Sequence, residues 1–136
     1  MTILSTPTAT GTRSALGRIR LWFGADALVT GANALAYLVA AGPITDLLGG
    51  DAGTVRTIGA ALVGYTLLVA LYTRSRLAPG PGWAIVAANA VWVVASLEVA
   101  LTGALGLDGP GRVWAVAQAL VVADLAVLQA RALRAR

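Results

Sequence analysis

Three acids stand inside apolar stretches of this chain: Asp26, Glu98 and Asp124. Asn33, Tyr37, Asn89 and Gln118 are spaced among them. A charged side chain at the centre of a membrane helix costs about 2.5–3.5 kcal/mol on insertion scales, so it turns inward, finds a partner and marks a site or pathway. Spacings of seven and four put Asp26, Asn33 and Tyr37 on one helical face, and a spacing of seven does the same for Asn89 and Ser96. Two carboxylates brought close together share protons, which is chemistry suited to gripping a polar group or relaying a proton.

The absent residue types exclude more than the present ones select. With neither Cys nor His, the chain has no zinc finger, no Cys/His metal centre, no histidine-ligated haem and no Ser-His or Cys-His catalytic pair. No nucleophile–base pair stands out, so no catalytic residue, metal or cofactor is assigned and an enzyme is not expected.

The elements that must hold these polar groups follow from composition. Of 136 residues, 58% are hydrophobic and 12% charged, about half the charge of an ordinary soluble domain. The mean hydropathy is +0.80. A bilayer core about 30 Å thick needs about 20 apolar helical residues to cross it. Four stretches answer to that: 21–39 with Asp26, 57–73 without a charge, 83–101 with Glu98, and 113–130 with Asp124. The expected fold is therefore all-α, an integral membrane four-helix bundle in residues 18–136, after a flexible N-terminal tail over 1–17. Gly42-Pro43 ends the first span, and the stretch 43–48 could form one short interfacial helix before the glycine-rich turn at 49–54. Asp51 or Thr54 is placed to cap the next helix. Pro79-Gly80-Pro81-Gly82 and Asp108-Gly109-Pro110-Gly111 separate the remaining spans.

Arginine sets the orientation, since the chain has no lysine. Arg13, Arg18, Arg20, Arg74, Arg76, Arg131, Arg134 and Arg136 fall on one side, and only Arg56 and Arg112 on the other. The positive-inside bias predicts both termini in the cytoplasm and a multi-pass protein of the cell membrane. The pI of 10.7 is accounted for by that bias, and no nucleic-acid partner is expected.

At a rise of 1.5 Å per residue, Asp26, Asn89 and Asp124 reach a similar depth, about 10 Å from the cytoplasmic side. That predicts a ligand or proton site on Asp26, Asn89 and Asp124, with Asn33 and Tyr37 higher in the cavity. The bland alternative is a hydrogen-bond network that only pins the helices. Tyr65 and Trp92 are read as packing residues. Glu98 lies half a rotation from Asn89; it pairs with Arg112 or Gln118, faces a second subunit, or snorkels to the outer interface. Matches at shifts of 63 and 57 residues, such as Asp26 with Asn89 and Arg74 with Arg131, suggest two tandem helix hairpins.

The run Arg20-Leu21-Trp22-Phe23-Gly24, followed by Leu28 and Gly31, resembles the start of DoxX-like proteins, small bacterial four-helix membrane proteins. The likeness covers about 20 residues of one helix, and Ala32-Asn33-Ala34 replaces the polar cluster common after that glycine. The resemblance implies a four-helix fold, and the related EXPERA group carries acids inside the bundle that contact lipophilic ligands. The motifs around the first-helix acid of small multidrug transporters are not matched.

The expected function is a non-enzymatic membrane protein that binds a lipophilic ligand or serves as an accessory subunit of a membrane complex. The alternative is a proton-coupled small-molecule transporter working as a homo-oligomer.

Overall fold

The computed structural model describes residues 9–136 and is almost entirely helical. Its helices are α1 (Ala9–Val39), α2 (Ala41–Leu48), α3 (Ala52–Thr73), α4 (Pro79–Thr102) and α5 (Gly109–Arg134), with a short 3-10 turn at Ala104–Gly106. Helices α3, α4 and α5 are each long and apolar enough to cross a membrane. The fourth candidate is α1 from Ser14 taken together with α2, a pair bent by 95°.

Helix ends follow local chemistry. The Asp51 carboxylate accepts from the Thr54 backbone N–H at 2.8 Å and the Asp108 carboxylate from that of Gly111 at 2.8 Å. Each satisfies a donor that a first turn leaves free. The two proline–glycine runs do not stay outside the helices. Pro79-Gly80-Pro81-Gly82 opens α4 and Gly109-Pro110-Gly111 opens α5. A proline is tolerated there because its missing N–H would have had no intrahelical partner.

The expected flexible tail is corrected over 9–17, where the chain is already helical; 1–8 lie outside the described residues. Ala15 and Ile19 are buried and Leu16 packs against the core, so the apolar face of α1 begins before its first long hydrophobic run. The short helix expected over 43–48 is present as α2 and starts two residues earlier.

Packing is uneven. Helix α1 lies along α3, α4 lies along α5, and α1 also packs on α5, whereas α3 and α4 hardly meet. The two hairpins are thus joined on one side and parted on the other. At the end carrying the described C-terminus, Ile19, Phe23, Val69, Tyr72, Leu77, Ala132 and Leu133 form one core cluster. Within it the Phe23 and Tyr72 rings sit 4.9 Å apart in a tilted pair. A smaller cluster of Ala34, Tyr37 and Leu62 lies nearer the other end.

Loops tie both ends. At one, Gly50 N–H donates to Gly106 O (3.1 Å) and Asp108 N–H to Leu48 O (3.0 Å), so the α2–α3 and α4–α5 connections pair briefly. Gly49 has φ +79° there, and a Cβ would lie 2.7 Å from the Asp108 nitrogen; only glycine fits. At the other, Tyr72 Oη donates to Ala78 O at 2.9 Å, Arg20 Nε to Thr73 O at 3.2 Å, and the Arg136 guanidinium to Leu77 O. Arg134 stands 5.8 Å over the Trp83 ring, within cation–π range. Arginines from α1 and from the far end of α5 therefore gather at one end of the bundle.

Gly59 lets α1 and α3 approach closely: a Cβ there would come within 3.0 Å of Tyr37 Cβ and 3.2 Å of Ala34 O. Substituting Gly59→Leu should force the pair apart and destabilise the fold by about 1–3 kcal/mol, as overpacking does. Gly64→Leu, where a Cβ meets nothing within 4 Å, should change stability by less than about 0.5 kcal/mol. Reversible unfolding in mixed micelles, followed by tryptophan fluorescence, measures both.

Candidate functional site

Each of the four long helices sends one polar side chain to a common point. From α1 comes Asp26 (1% exposed), from α4 Asn89 (4%), from α5 Gln129 (0%) and from α3 the half-buried Tyr65. Asp26 Oδ2 accepts from Asn89 Nδ2 at 2.8 Å, from Gln129 Nε2 at 2.8 Å and, more loosely, from Tyr65 Oη at 3.4 Å. Asp26 Oδ1 accepts from Thr30 Oγ1, one turn along α1, at 3.0 Å. Asn89 Nδ2 also donates to Gln129 Oε1 (2.9 Å), and Asn89 Oδ1 accepts from Tyr65 Oη (2.7 Å).

The direction of these bonds is the chemical content of the layer. Every group facing Asp26 donates, and Asp26 only accepts. Both amides are used from both ends, Asn89 by Tyr65, Asp26 and Gln129, and Gln129 by Asp26 and Asn89. A buried polar network stabilises only when its members are satisfied, and this one is closed. Asp26 has no basic partner among the described residues, so its carboxyl oxygens are met by donors from three other helices rather than by an ion pair.

A second polar group lies further along α1. The Tyr37 phenol oxygen accepts from Trp114 Nε1 at 2.9 Å and from the Gln118 amide, both on α5. Between the two groups runs a cavity of about 410 Å³, which includes Asn33, Tyr65, Asn89, Trp92, Trp114 and Gln118 in its wall. It borders a smaller cavity of about 200 Å³ beside Tyr37, Ser96 and Val99, and Trp92, Trp114 and Gln118 line both. The walls come from α1, α3, α4 and α5, and the larger space lies where α3 and α4 fail to meet.

Of the residues expected to bind a ligand, Asp26 and Asn89 are in direct contact, Asn33 lines the larger cavity and Tyr37 the smaller. Asp124 does not join them. It is exposed on α5, and Gln129 holds the place expected for it. Gln118 and Gln129 are eleven residues apart, three helical turns, and share the inner face of α5, whereas Asp124 is turned about 140° from Gln129. Glu98 and Arg112 are exposed, and the Gln118 amide is directed to Tyr37 rather than Glu98. Tyr65, read as a packing residue, is part of the polar layer. The signal for Gln129 was the stripe Ala115, Ala119, Leu125, Gln129 and Ala132 on one face of α5, all buried.

No family model, curated protein or solved structure matches this chain.

Replacing Gln129 by Leu removes one donor from Asp26 and one acceptor from Asn89, and should destabilise the protein by about 1–3 kcal/mol. Asp124→Asn removes no bond of the layer and should not destabilise the protein. Equal effects at the two positions would contradict the assignment of Gln129 to the layer.

Proposed function

We propose that this chain is a non-enzymatic, multi-pass protein of the cell membrane that holds a lipophilic ligand in the cavity above its buried polar layer. One observation carries the reading: the cavity of about 410 Å³ is floored by Tyr65 and Asn89 of the Asp26 network and lies at the gap between α3 and α4. Small-molecule sites are mostly apolar spaces of about 300–1,000 Å³ with a few fixed polar groups. A network built only to pin the helices needs no open volume above it.

Four spans, with α1 and α2 forming one bent unit, put both termini on the cytoplasmic side. The gathering of Arg20, Arg74, Arg76, Arg134 and Arg136 at one end, against Arg56 and Arg112 at the other, supports this orientation. Helix α2, bent away from α1, then lies near the outer interface.

A second reading, a proton-coupled transporter acting as an oligomer, is favoured by Asp124. Its exposed face of α5 also carries Ala117, Leu120, Val127 and Arg131 at heptad spacing, and a carboxylate at that depth facing lipid is costly. A neighbouring subunit would cover it.

Lipid extraction from protein purified in mild detergent, followed by mass spectrometry, tests the first reading. A stoichiometric lipophile is expected, and Ala61→Trp, which fills the cavity from α3, should lose it while the helical circular dichroism spectrum is kept. Proton-driven uptake into proteoliposomes that disappears in Asp26→Asn, with no lipophile retained by the wild type, would instead establish the transporter.

A further inference from the structure

From the chemistry of the cavity wall we infer the class of its occupant: an uncharged lipophile with one hydrogen-bonding polar group, entering sideways from the bilayer between α3 and α4. The inference rests on the ligand-binding reading above and narrows it. The wall of the larger cavity contains no Arg, Lys, Asp or Glu. Its polar groups are neutral: the amides of Asn33, Asn89 and Gln118, the Tyr65 phenol, the indoles of Trp92 and Trp114, and the Thr30 hydroxyl, which already donates to Asp26.

A charge taken into such a space without a countercharge is heavily penalised. Asp26 is the nearest acid, but it is 1% exposed, lies outside the lining and is already bonded to four donors. It offers no accessible carboxylate to a cationic headgroup. Anions fare worse, because no arginine reaches the wall and the floor rests on that carboxylate. Phosphate, carboxylate and ammonium headgroups are therefore poor occupants.

The free hydrogen-bonding capacity is specific. Asn89, Tyr65, Gln118 and Trp114 are engaged with protein partners. Asn33 and the Trp92 indole line the cavity without a side-chain partner among the described residues. An amide and an indole N–H, set among Val29, Leu62, Val121 and Val122, match a hydroxyl or carbonyl at the head of an apolar body. The route is set by packing, since α1 lies against both α3 and α5 and closes the opposite side.

Trp92 and Trp114 stand in the wall, so bromine quenching of their fluorescence reports occupancy. The protein is purified in mild detergent with Trp22 and Trp83, both outside the cavity lining, changed to Phe. Unaltered protein serves as a parallel sample, in which the same two tryptophans still report. Three probes share one mid-chain dibrominated octadecyl body and end in an alcohol, a carboxylate or a trimethylammonium group.

The alcohol should quench saturably and be displaced by unbrominated octadecanol. Both charged probes should bind at least about tenfold more weakly, the 1.4 kcal/mol per decade of an unmet electrostatic cost. Asn33→Leu should weaken the alcohol about fivefold or more, within the range of one lost hydrogen bond. A charged probe that binds as tightly as the alcohol would overturn the neutral class and leave the ligand site standing. If none of the three quenches saturably in either sample, the ligand-binding reading itself fails.

Discussion

Asp26 governs the design of the bundle. A carboxylate 1% exposed in an apolar interior, with no basic partner among the described residues, is tolerable only if its lone pairs are met by donors. An unsatisfied buried charge is too costly to keep. The protein meets the demand with a threonine one turn away and one donor from each of three other helices. Because the donors come from α3, α4 and α5, the requirement also fixes how the helices are rotated about their axes. For helices apolar enough to cross a membrane, where no hydrophobic force acts between them, packing and such directional bonds would define the register. Alanine-rich faces that could slide over one another are held at the level where Asp26, Asn89 and Gln129 meet.

The same residues explain what was legible beforehand. The positions of the long apolar helices could be read because apolar length is a nearly one-dimensional constraint. Asp26, Asn33 and Tyr37 could be placed on one inner face because their spacing of seven and four holds whatever surrounds the helix. On α5, depth alone does not separate Asp124 from Gln129, and an acid is the stronger signal in an apolar span, which favours the choice of Asp124. The angular position around the helix contradicts that choice, since the buried stripe passes through Gln129 and misses Asp124. Tyr65 was hidden for a different reason. An aromatic in an apolar span looks like packing, and only the meeting of four helices shows that its phenol bridges Asp26 and Asn89.

Proline and glycine show how a correct boundary can carry the wrong local picture. The runs at 79–82 and 109–111 do separate helices, yet they form the first turns of α4 and α5 rather than the loops between them. Their missing donors are harmless there. Helix starts thus sit close to the interfacial arginines and tryptophans, which allows Arg134 to lie over Trp83 and Arg136 to reach Leu77.

The unequal seams between the hairpins connect the polar layer to the cavity. If the two hairpins repeated one another in packing as well as in pattern, α3 would meet α4 as α1 meets α5. It does not. On the closed side, α1 carries Asp26 and α5 carries Gln129, which bond directly at 2.8 Å. On the open side, the phenol of Tyr65 on α3 and the amide of Asn89 on α4 meet at 2.7 Å, and below them Tyr72 of α3 lies against Gly82 of α4. Above that bond, Ala61 lines the gap with a side chain too short to fill it. The polar layer therefore holds the bundle together at one height and leaves it parted above. The Tyr37, Trp114 and Gln118 group joins α1 to α5 at the far end, again on the closed side. Both hydrogen-bonded groups thus join α1 to α5, and the space they leave lies between the two helices that meet least.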